Sequence, residues 1–182
     1  EFAFCNLGAR SPFLTVAFPN RPPAHQRYLD LEGLSAAELD AWKQIFWRFA
    51  TQLSSRDSRR FVFKSPPHTC RKRHLLALLP DARFVHIVRD PYTVIPSTLR
   101  LWRILYASQG LQVPTFQGLE DQVFETFNRV QRSLAKSRSL VPPQRLIEVR
   151  YEDLVAAPMR VMESIYTTLE LGEFAAARAP LE

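Results

Sequence analysis

The feature of this sequence that most constrains its fold is the alternation of short apolar runs with helical patterns. Residues 60–64 (RFVFK) and 83–88 (RFVHIV) are β-branched and aromatic, and each run is followed by a proline-marked turn and a helical stretch. A third run, residues 146–150, precedes a helix expected to begin near Pro158. Strands that alternate with helices favour an α/β fold in which a parallel sheet is flanked by helices.

Apolar spacing predicts the helices. Ser35 and Glu38 form a capping box before one of them, and another is expected between the first two strands, from about His68 to Leu79. The first helix carries apolar residues at intervals of three or four, namely Leu39, Trp42, Phe46, Phe49 and Leu53. A further amphipathic pattern covers residues 119–134. We interpret these apolar faces as core packing.

Length and composition describe an ordinary globular chain. With 182 residues, 46% hydrophobic and 23% charged, it is expected to fold as one domain over 1–182. We divide that domain into an irregular proline-rich segment at 1–33 and an α/β core at 34–182. No run of about 18 apolar residues and no charged-then-apolar leader occurs, so neither a membrane span nor a signal peptide is predicted.

The charge and the cysteine content indicate which ligands the chain could bind. The net charge is +6, and 20 of the 24 basic residues are Arg, whose planar guanidinium suits phosphate and sulfate oxygens. A compositional bias of the source genome would explain the Arg count equally well. Two Cys and four His are too few for a disulfide framework or a structural metal site, so we expect no metal.

Ligands of open parallel sheets bind outside the carboxyl ends of the strands. The first predicted strand ends at Lys64, and a basic run, Arg71–Lys72–Arg73, opens the following helix. Cations in a first helical turn oppose the helix dipole unless an anion lies there to reverse the sign. The alternative is that each of these side chains points into solvent.

The second predicted strand ends at Arg89. Asp90 can cap the next helix, but Pro96 removes a backbone donor, so we expect a short first turn, a kink, and a helix that continues with Pro96 at its start. Ser97 would then lie in a first turn and form a phosphate cradle with Arg89. Alternatively, Arg89 pairs with a carboxylate such as Asp90, and Ser97 is an ordinary helical residue.

Two further residues are candidates by position. Tyr151 follows the third predicted strand, where its ring suits either an adenine edge or plain packing. His68 lies four residues after Lys64 and is better placed for chemistry than the histidine inside the second strand, His86.

Three sequence blocks resemble the sulfotransferase superfamily, in particular its bacterial-type members. They lie within FVFKSPPHTCRKRHLLALLPDARFVHIVRDPYTVIPSTLRLW and RLIEVRYEDLVAAP, in order, across about residues 60 to 160. The opening of the chain is also similar to the segment that precedes the lysine strand in that family. The resemblance implies a P-loop-like sulfotransferase fold. It also implies transfer of a sulfonate group from 3′-phosphoadenosine 5′-phosphosulfate to a hydroxyl or amine of a carbohydrate, lipid, small molecule or peptide.

The resemblance also implies roles for particular residues. Arg89 and Ser97 match the Arg and Ser, eight residues apart, that hold the 3′-phosphate of the donor in this family. Lys64 resembles the lysine that steadies the transferred sulfonate, and Tyr151 the tyrosine that lies near the adenine.

The catalytic base and the donor loop depart from the family pattern. Relatives with a histidine two residues after the lysine use it as the base, but this chain has Pro66 there, and His68 is our candidate instead. The family's glycine-containing loop around the 5′-phosphosulfate is also missing, since the five glycines, at 8, 33, 110, 118 and 172, form no such loop. We therefore expect an internal fragment that holds the 3′-phosphate half of the site and is inactive alone.

Two other functions are weighed against this one. A nucleotide-dependent phosphoryl transferase would need a Walker lysine loop and magnesium carboxylates, and neither is visible. A basic nucleic-acid-binding module would bind with a steep dependence on salt. We expect no nucleic-acid partner, and a cytoplasmic location if the protein is bacterial.

Overall fold

Helices and a small parallel sheet make up the fold. The structure, a computed structural model, describes residues 1–178. Its helices and strands in chain order are α1 (Phe2–Asn6), α2 (Ala36–Ser54), α3 (Lys72–Leu78), β1 (Phe84–Val88), α4 (Pro91–Gln109), α5 (Leu119–Arg138), β2 (Leu146–Arg150), α6 (Tyr151–Ala156), α7 (Pro158–Thr168) and α8 (Phe174–Arg178). Short 3-10 helices cover Pro12–Ala17, Gln26–Tyr28, Pro66–Thr69 and Pro143–Arg145. The α/β class is therefore confirmed.

The sheet consists of β1 and β2 in the described part of the chain. The strands run parallel, in a register that places Phe84 opposite Leu146 and Val88 opposite Arg150. This arrangement confirms the second and third predicted strands, the former shortened by one residue. Because the strands are parallel, the residues that follow them emerge at the same edge of the sheet.

The strand predicted at residues 60–64 is wrong. Residues 61–65 are not part of either strand. The Phe63 ring packs against those of Phe46 and Phe49, at 5.6 and 6.3 Å between centroids, whereas Val62 is 91% exposed. Phe63 therefore packs on α2, and residues 60–64 complete no sheet in the described part of the chain.

The capping box predicted for α2 is confirmed. The Ser35 hydroxyl oxygen accepts a hydrogen bond from the Glu38 N–H at 3.2 Å, and the Glu38 carboxylate accepts one from the Ser35 N–H at 2.9 Å. The buried face of α2 presents Trp42 and Phe46, both at most 2% exposed. α2 is thereby fixed against α1, whose Phe4 ring lies 5.6 Å from that of Phe46.

Three apolar clusters hold the elements together. The first joins α1, α2 and α3, the second joins α4 to α5, and the third joins β2 to α7.

α3 begins later than predicted, at Lys72, because Pro66–Thr69 forms a 3-10 helix first. Residues 179–182, the end of the predicted core, lie outside the described residues. Within residues 1–178, no helix has the length and apolarity needed to cross a membrane.

Candidate active site

The carboxyl ends of β1 and β2 bring Arg89 and Tyr151 together. Arg89 follows β1 directly, and Tyr151 follows β2. The guanidinium carbon of Arg89 lies 4.5 Å from the centroid of the Tyr151 ring, within the range of a cation–π contact. Tyr151 is 39% exposed and Arg89 is also exposed, so this pair is open to a ligand.

The guanidinium of Arg89 has no acidic partner among residues 1–178. Asp90 does not pair with it, because the Asp90 carboxylate accepts a hydrogen bond from the Tyr92 N–H at 3.0 Å and caps α4. The backbone carbonyl of Asp90 accepts from the N–H groups of Thr93 and Val94. Of the two alternatives for Arg89, the ion pair with Asp90 is thus absent, and its N–H donors are available to an anion.

Ser97 lies in α4, but not in a first turn. The prediction of a break at Pro96 is wrong. α4 runs as one helix from Pro91 to Gln109, and Pro96 lies inside it. The first-turn amides that follow Pro91 are already bonded to Asp90. The structure records no contact between the exposed hydroxyl of Ser97 and the guanidinium of Arg89, and the helix amides that we had expected to be free are already hydrogen-bonded.

Lys64 is exposed and has no hydrogen bond or ion pair with another described residue. It lies in residues 61–65, which belong to no helix or strand, and the structure records no contact between it and Arg89 or Tyr151. The neighbouring Ser65 is anchored, since its hydroxyl donates to the Glu1 carboxylate at 2.8 Å. The backbone next to Lys64 is therefore held, while its ammonium group faces solvent.

A buried ion pair beneath this segment was missed by sequence reasoning. The side chain of Arg71 is fully buried and donates two hydrogen bonds to the Glu1 carboxylate, at 3.1 and 2.9 Å. It also lies over the Trp42 ring, at 5.2 Å, and bonds the carbonyl oxygen of Tyr28. The expected anion at the basic run is thus a carboxylate of the chain itself. Neither spacing nor periodicity links residue 1 to residue 71.

Glu1 stays ionised in this environment. Burial raises the pKa of its carboxyl, but the hydrogen bonds and positive charge of Arg71, with the hydroxyl of Ser65, outweigh burial and lower it. All four hydrogen bonds to the carboxylate come from the protein, the last from the Ser11 hydroxyl at 3.2 Å. With its lone pairs occupied, Glu1 serves as a structural anion.

The ring of His68 is partly buried among aromatic side chains. Its ring lies 6.5 Å from that of Phe4 and 6.2 Å from that of Phe46, and its Nδ1 is buried without a hydrogen-bond partner. Burial, together with the nearby charge of Arg71, lowers the pKa of His68 from 6.5 to about 4. The ring is thus neutral at pH 7, as a base must be, but it is not displayed on the surface as Arg89 and Ser97 are.

Two other buried groups lie near His68. Lys72 is 2% exposed with its Nζ unpartnered, and burial lowers its pKa. Burial raises the pKa of the Cys70 thiol to about 11, so this cysteine remains a protonated, unreactive thiol. The residues described contain no group of three or more His, Cys, Asp or Glu side chains that would hold a metal ion.

Comparison with known proteins gives a consistent result over most of the chain. Residues 14–175 match the sulfotransferase family. Two curated relatives, from Mycobacterium bovis and Mycobacterium tuberculosis, are each named omega-hydroxy-beta-dihydromenaquinone-9 sulfotransferase and are each 47% identical over 174 residues. The match covers 96% of this chain and 45% of each relative, so the chain spans less than half of their length. No solved structure matches the chain significantly.

Proposed function

The chain belongs to the sulfotransferase family, and from that premise we propose that the protein transfers a sulfonate group from 3′-phosphoadenosine 5′-phosphosulfate to an acceptor hydroxyl. The observation that carries the proposal is the exposed guanidinium of Arg89, which is fixed over Tyr151 and paired with no carboxylate of the described chain. A guanidinium in that state offers paired donors to a phosphate.

The donor would be bound at the edge where β1 and β2 end. Arg89 donates to the 3′-phosphate through charge-assisted hydrogen bonds, and the Ser97 hydroxyl donates a further one. One face of the Tyr151 ring is taken by Arg89, so the adenine would meet the other face or the edge of that ring.

The reaction would be an in-line displacement at sulfur. The acceptor oxygen forms a bond to the sulfur as the bond between sulfur and the 5′-phosphate oxygen breaks, and adenosine 3′,5′-bisphosphate leaves with that electron pair. Lys64 neutralises the charge that grows on the oxygens around the sulfur. His68, neutral at pH 7, would take the acceptor proton once the acceptor or a structural rearrangement reaches its ring.

The acceptor would be a hydroxylated lipid. Both relatives are named for action on omega-hydroxy-beta-dihydromenaquinone-9, and they share 47% identity with this chain. We extend to this protein only the chemical class, a hydroxyl carried by an apolar molecule, because acceptor pockets differ within one fold.

Binding of two nucleotides that differ by one phosphate tests the site. Adenosine 3′,5′-bisphosphate should bind more tightly than adenosine 5′-monophosphate in isothermal titration, and Arg89→Ala should reduce that preference about 10- to 100-fold. Arg48→Ala, which removes an exposed arginine from α2, is the matched control. An unchanged preference in Arg89→Ala would refute the phosphate assignment.

The same titration separates the alternative functions. A nucleic-acid-binding module would show no preference for the 3′-phosphate, and its affinity for oligonucleotides would fall steeply between 50 and 200 mM salt, by about 10³-fold or more for six phosphate contacts. A phosphoryl transferase would bind nucleoside triphosphates in preference to the bisphosphate.

A further inference from the structure

Two adjoining loops hold large apolar side chains in solvent. Leu111 is 75% exposed and Val113 is 89% exposed in the loop that follows α4, and Phe18, in the neighbouring loop, is 42% exposed. We refer to Phe18, Leu111 and Val113 as the loop patch.

The loop patch is exposed on a backbone that is fastened in place. The Leu111 N–H donates to the Ala17 carbonyl at 2.9 Å, which joins the two loops. The Asn20 side chain donates to the Val113 carbonyl at 2.9 Å and accepts from the Thr115 N–H at 2.9 Å. A hydrogen-bonded loop of this kind cannot simply turn its apolar side chains inward, so within residues 1–178 these side chains are held in solvent.

The outer face of α4 adds further apolar surface beside the loops. Leu101 and Ile104 are three residues apart on one side of the helix and are 52% and 54% exposed. The opposite side of α4 is buried through Tyr106, which is 2% exposed. Exposed apolar side chains thus occur both on one side of α4 and in the loop that follows it along the chain.

Positive charges accompany this apolar surface. The guanidinium carbon of Arg21 lies 5.0 Å from the centroid of the Phe18 ring, and Arg100 is exposed on α4 between Ser97 and Leu101. Within residues 1–178 neither arginine has a carboxylate partner. Apolar side chains flanked by unpaired arginines fit the interface of an anionic bilayer, where acyl chains meet phosphate headgroups.

We propose that the loop patch, together with Leu101 and Ile104, binds the surface of an anionic lipid bilayer. The apolar side chains enter the boundary between headgroups and acyl chains, and Arg21 and Arg100 contact the phosphates. Bilayer binding would bring the protein to a lipid acceptor, and only in that respect does it rest on the proposed function. It is measured without donor or acceptor, so either proposal can fail alone.

Vesicle sedimentation with the full 182-residue chain tests the proposal. The chain should bind vesicles of phosphatidylcholine with about one quarter phosphatidylglycerol, and bind pure phosphatidylcholine at least tenfold more weakly. Replacing both loop residues, Leu111→Ser with Val113→Ser, should weaken binding about tenfold or more, because two apolar side chains no longer enter the bilayer. The pair Arg21→Gln and Arg100→Gln should remove most of the preference for the anionic lipid.

Matched substitutions elsewhere make the test specific. Val62 and Val155 are 91% and 63% exposed outside this surface, so Val62→Ser with Val155→Ser should leave vesicle binding unchanged. Equal loss in this control, or no binding of the unaltered chain to the anionic vesicles, would overturn the proposal. A dimer in analytical ultracentrifugation that the Leu111→Ser/Val113→Ser chain no longer forms, without vesicle binding, would assign the surface to a second copy instead.

Discussion

Lys64 presents an ammonium group to solvent from a segment that is anchored one residue later by Ser65 and Glu1. In an active form of the protein, Lys64→Ala should lower turnover about 10²- to 10³-fold, because one preorganised positive charge is lost at the transition state. Affinity for adenosine 3′,5′-bisphosphate, which lacks the sulfonate, should change little. Lys136→Ala, on α5, is the control, and turnover near that of the unaltered protein would exclude the role of Lys64.

Burial of His68 makes stability depend on pH. The folded pKa is about 4 against 6.5 for the free side chain, so between these values the unfolded chain binds more protons and stability falls as the pH falls. We expect a loss of about 2 kcal/mol between pH 7.5 and pH 5 from this group. Burial also lowers the pKa of His74 and His86, so these two residues likewise make the fold less stable as the pH falls.

Urea unfolding at the two pH values measures the effect. His68→Leu should remove most of the dependence, whereas His25→Asn, at an exposed position, should retain it. The lowered pKa of Glu1 also stabilises the fold, but that stability is lost mainly as the pH falls below 4.5, the ordinary value of the carboxyl, so it changes little between pH 7.5 and pH 5. If the unfolding free energy of His68→Leu changed with pH as much as that of the unaltered chain, the buried, neutral state of the ring would be refuted.

For single residues, the sequence predicted positions along strands and helices better than it predicted which side chains contact each other. The strand-end position of Arg89 was predicted because it is a local property, whereas Ser97 does not lie in the first turn predicted for it, and the roles of both residues stay predictions. The pair formed by Glu1 and Arg71 depends on contacts between distant parts of the chain, which no periodicity records. The same holds for the burial of His68, which is decided by the rings of Phe4 and Phe46.

Among the elements, α2 is the one whose beginning is most clearly encoded. Ser35→Ala removes the hydroxyl that accepts from the Glu38 N–H and should lower the free energy of unfolding by about 0.5 to 2 kcal/mol. The midpoint of thermal unfolding should fall by about 2 to 4 °C for each kcal/mol. Ser58→Ala, at an exposed position outside the helices, should leave that midpoint unchanged. Equal midpoints for the two variants would show that the cap does not stabilise the fold.

Pro96 is inside α4, where it withholds a backbone N–H from the carbonyl of Tyr92. Pro96→Ala restores that donor and should raise the free energy of unfolding, measured by urea denaturation, by about 1 to 3 kcal/mol. Thr93→Ala, in the first turn of the same helix, controls for helix propensity alone. A Pro96→Ala chain less stable than the original would mean that the proline is needed for packing.

Helices and strands whose signals are local in the sequence were predicted correctly. The strand predicted at residues 60–64 was wrong, because a strand also needs a neighbouring strand to pair with. β2 was predicted at its observed bounds, and α7 begins at Pro158 as its proline indicates. The run at residues 60–64 has the composition of a strand, but a strand also needs hydrogen bonds from a neighbour. No described strand pairs with it, and Phe63 packs against the aromatic surface of α2 instead.

For the whole molecule, the decisive question is whether half of a donor site suffices for chemistry. The five glycines of the 182-residue chain form no loop of the kind that the resemblance leads us to expect around the 5′-phosphosulfate. We expect it to show no sulfonate transfer by mass spectrometry while retaining a preference for the bisphosphate, because an unpositioned sulfonate loses both orientation and charge stabilisation. The same chain extended to the length of its relatives should be active. Full activity of the 182 residues alone would contradict our assignment of the donor site.

The pairing of β1 with β2 also sets an order of assembly. Residues 89–145 separate the two strands, and they include α4 and α5, which pack on each other through Tyr106, Leu119 and Val123. Contacts between neighbouring helices close short loops, whereas the sheet must close the whole intervening chain at a larger entropic cost. We therefore expect the helical pair to form first and to shorten the chain that must close before β2 pairs with β1. On this expectation the edge that carries Arg89 and Tyr151 is completed after the α4–α5 pair has formed.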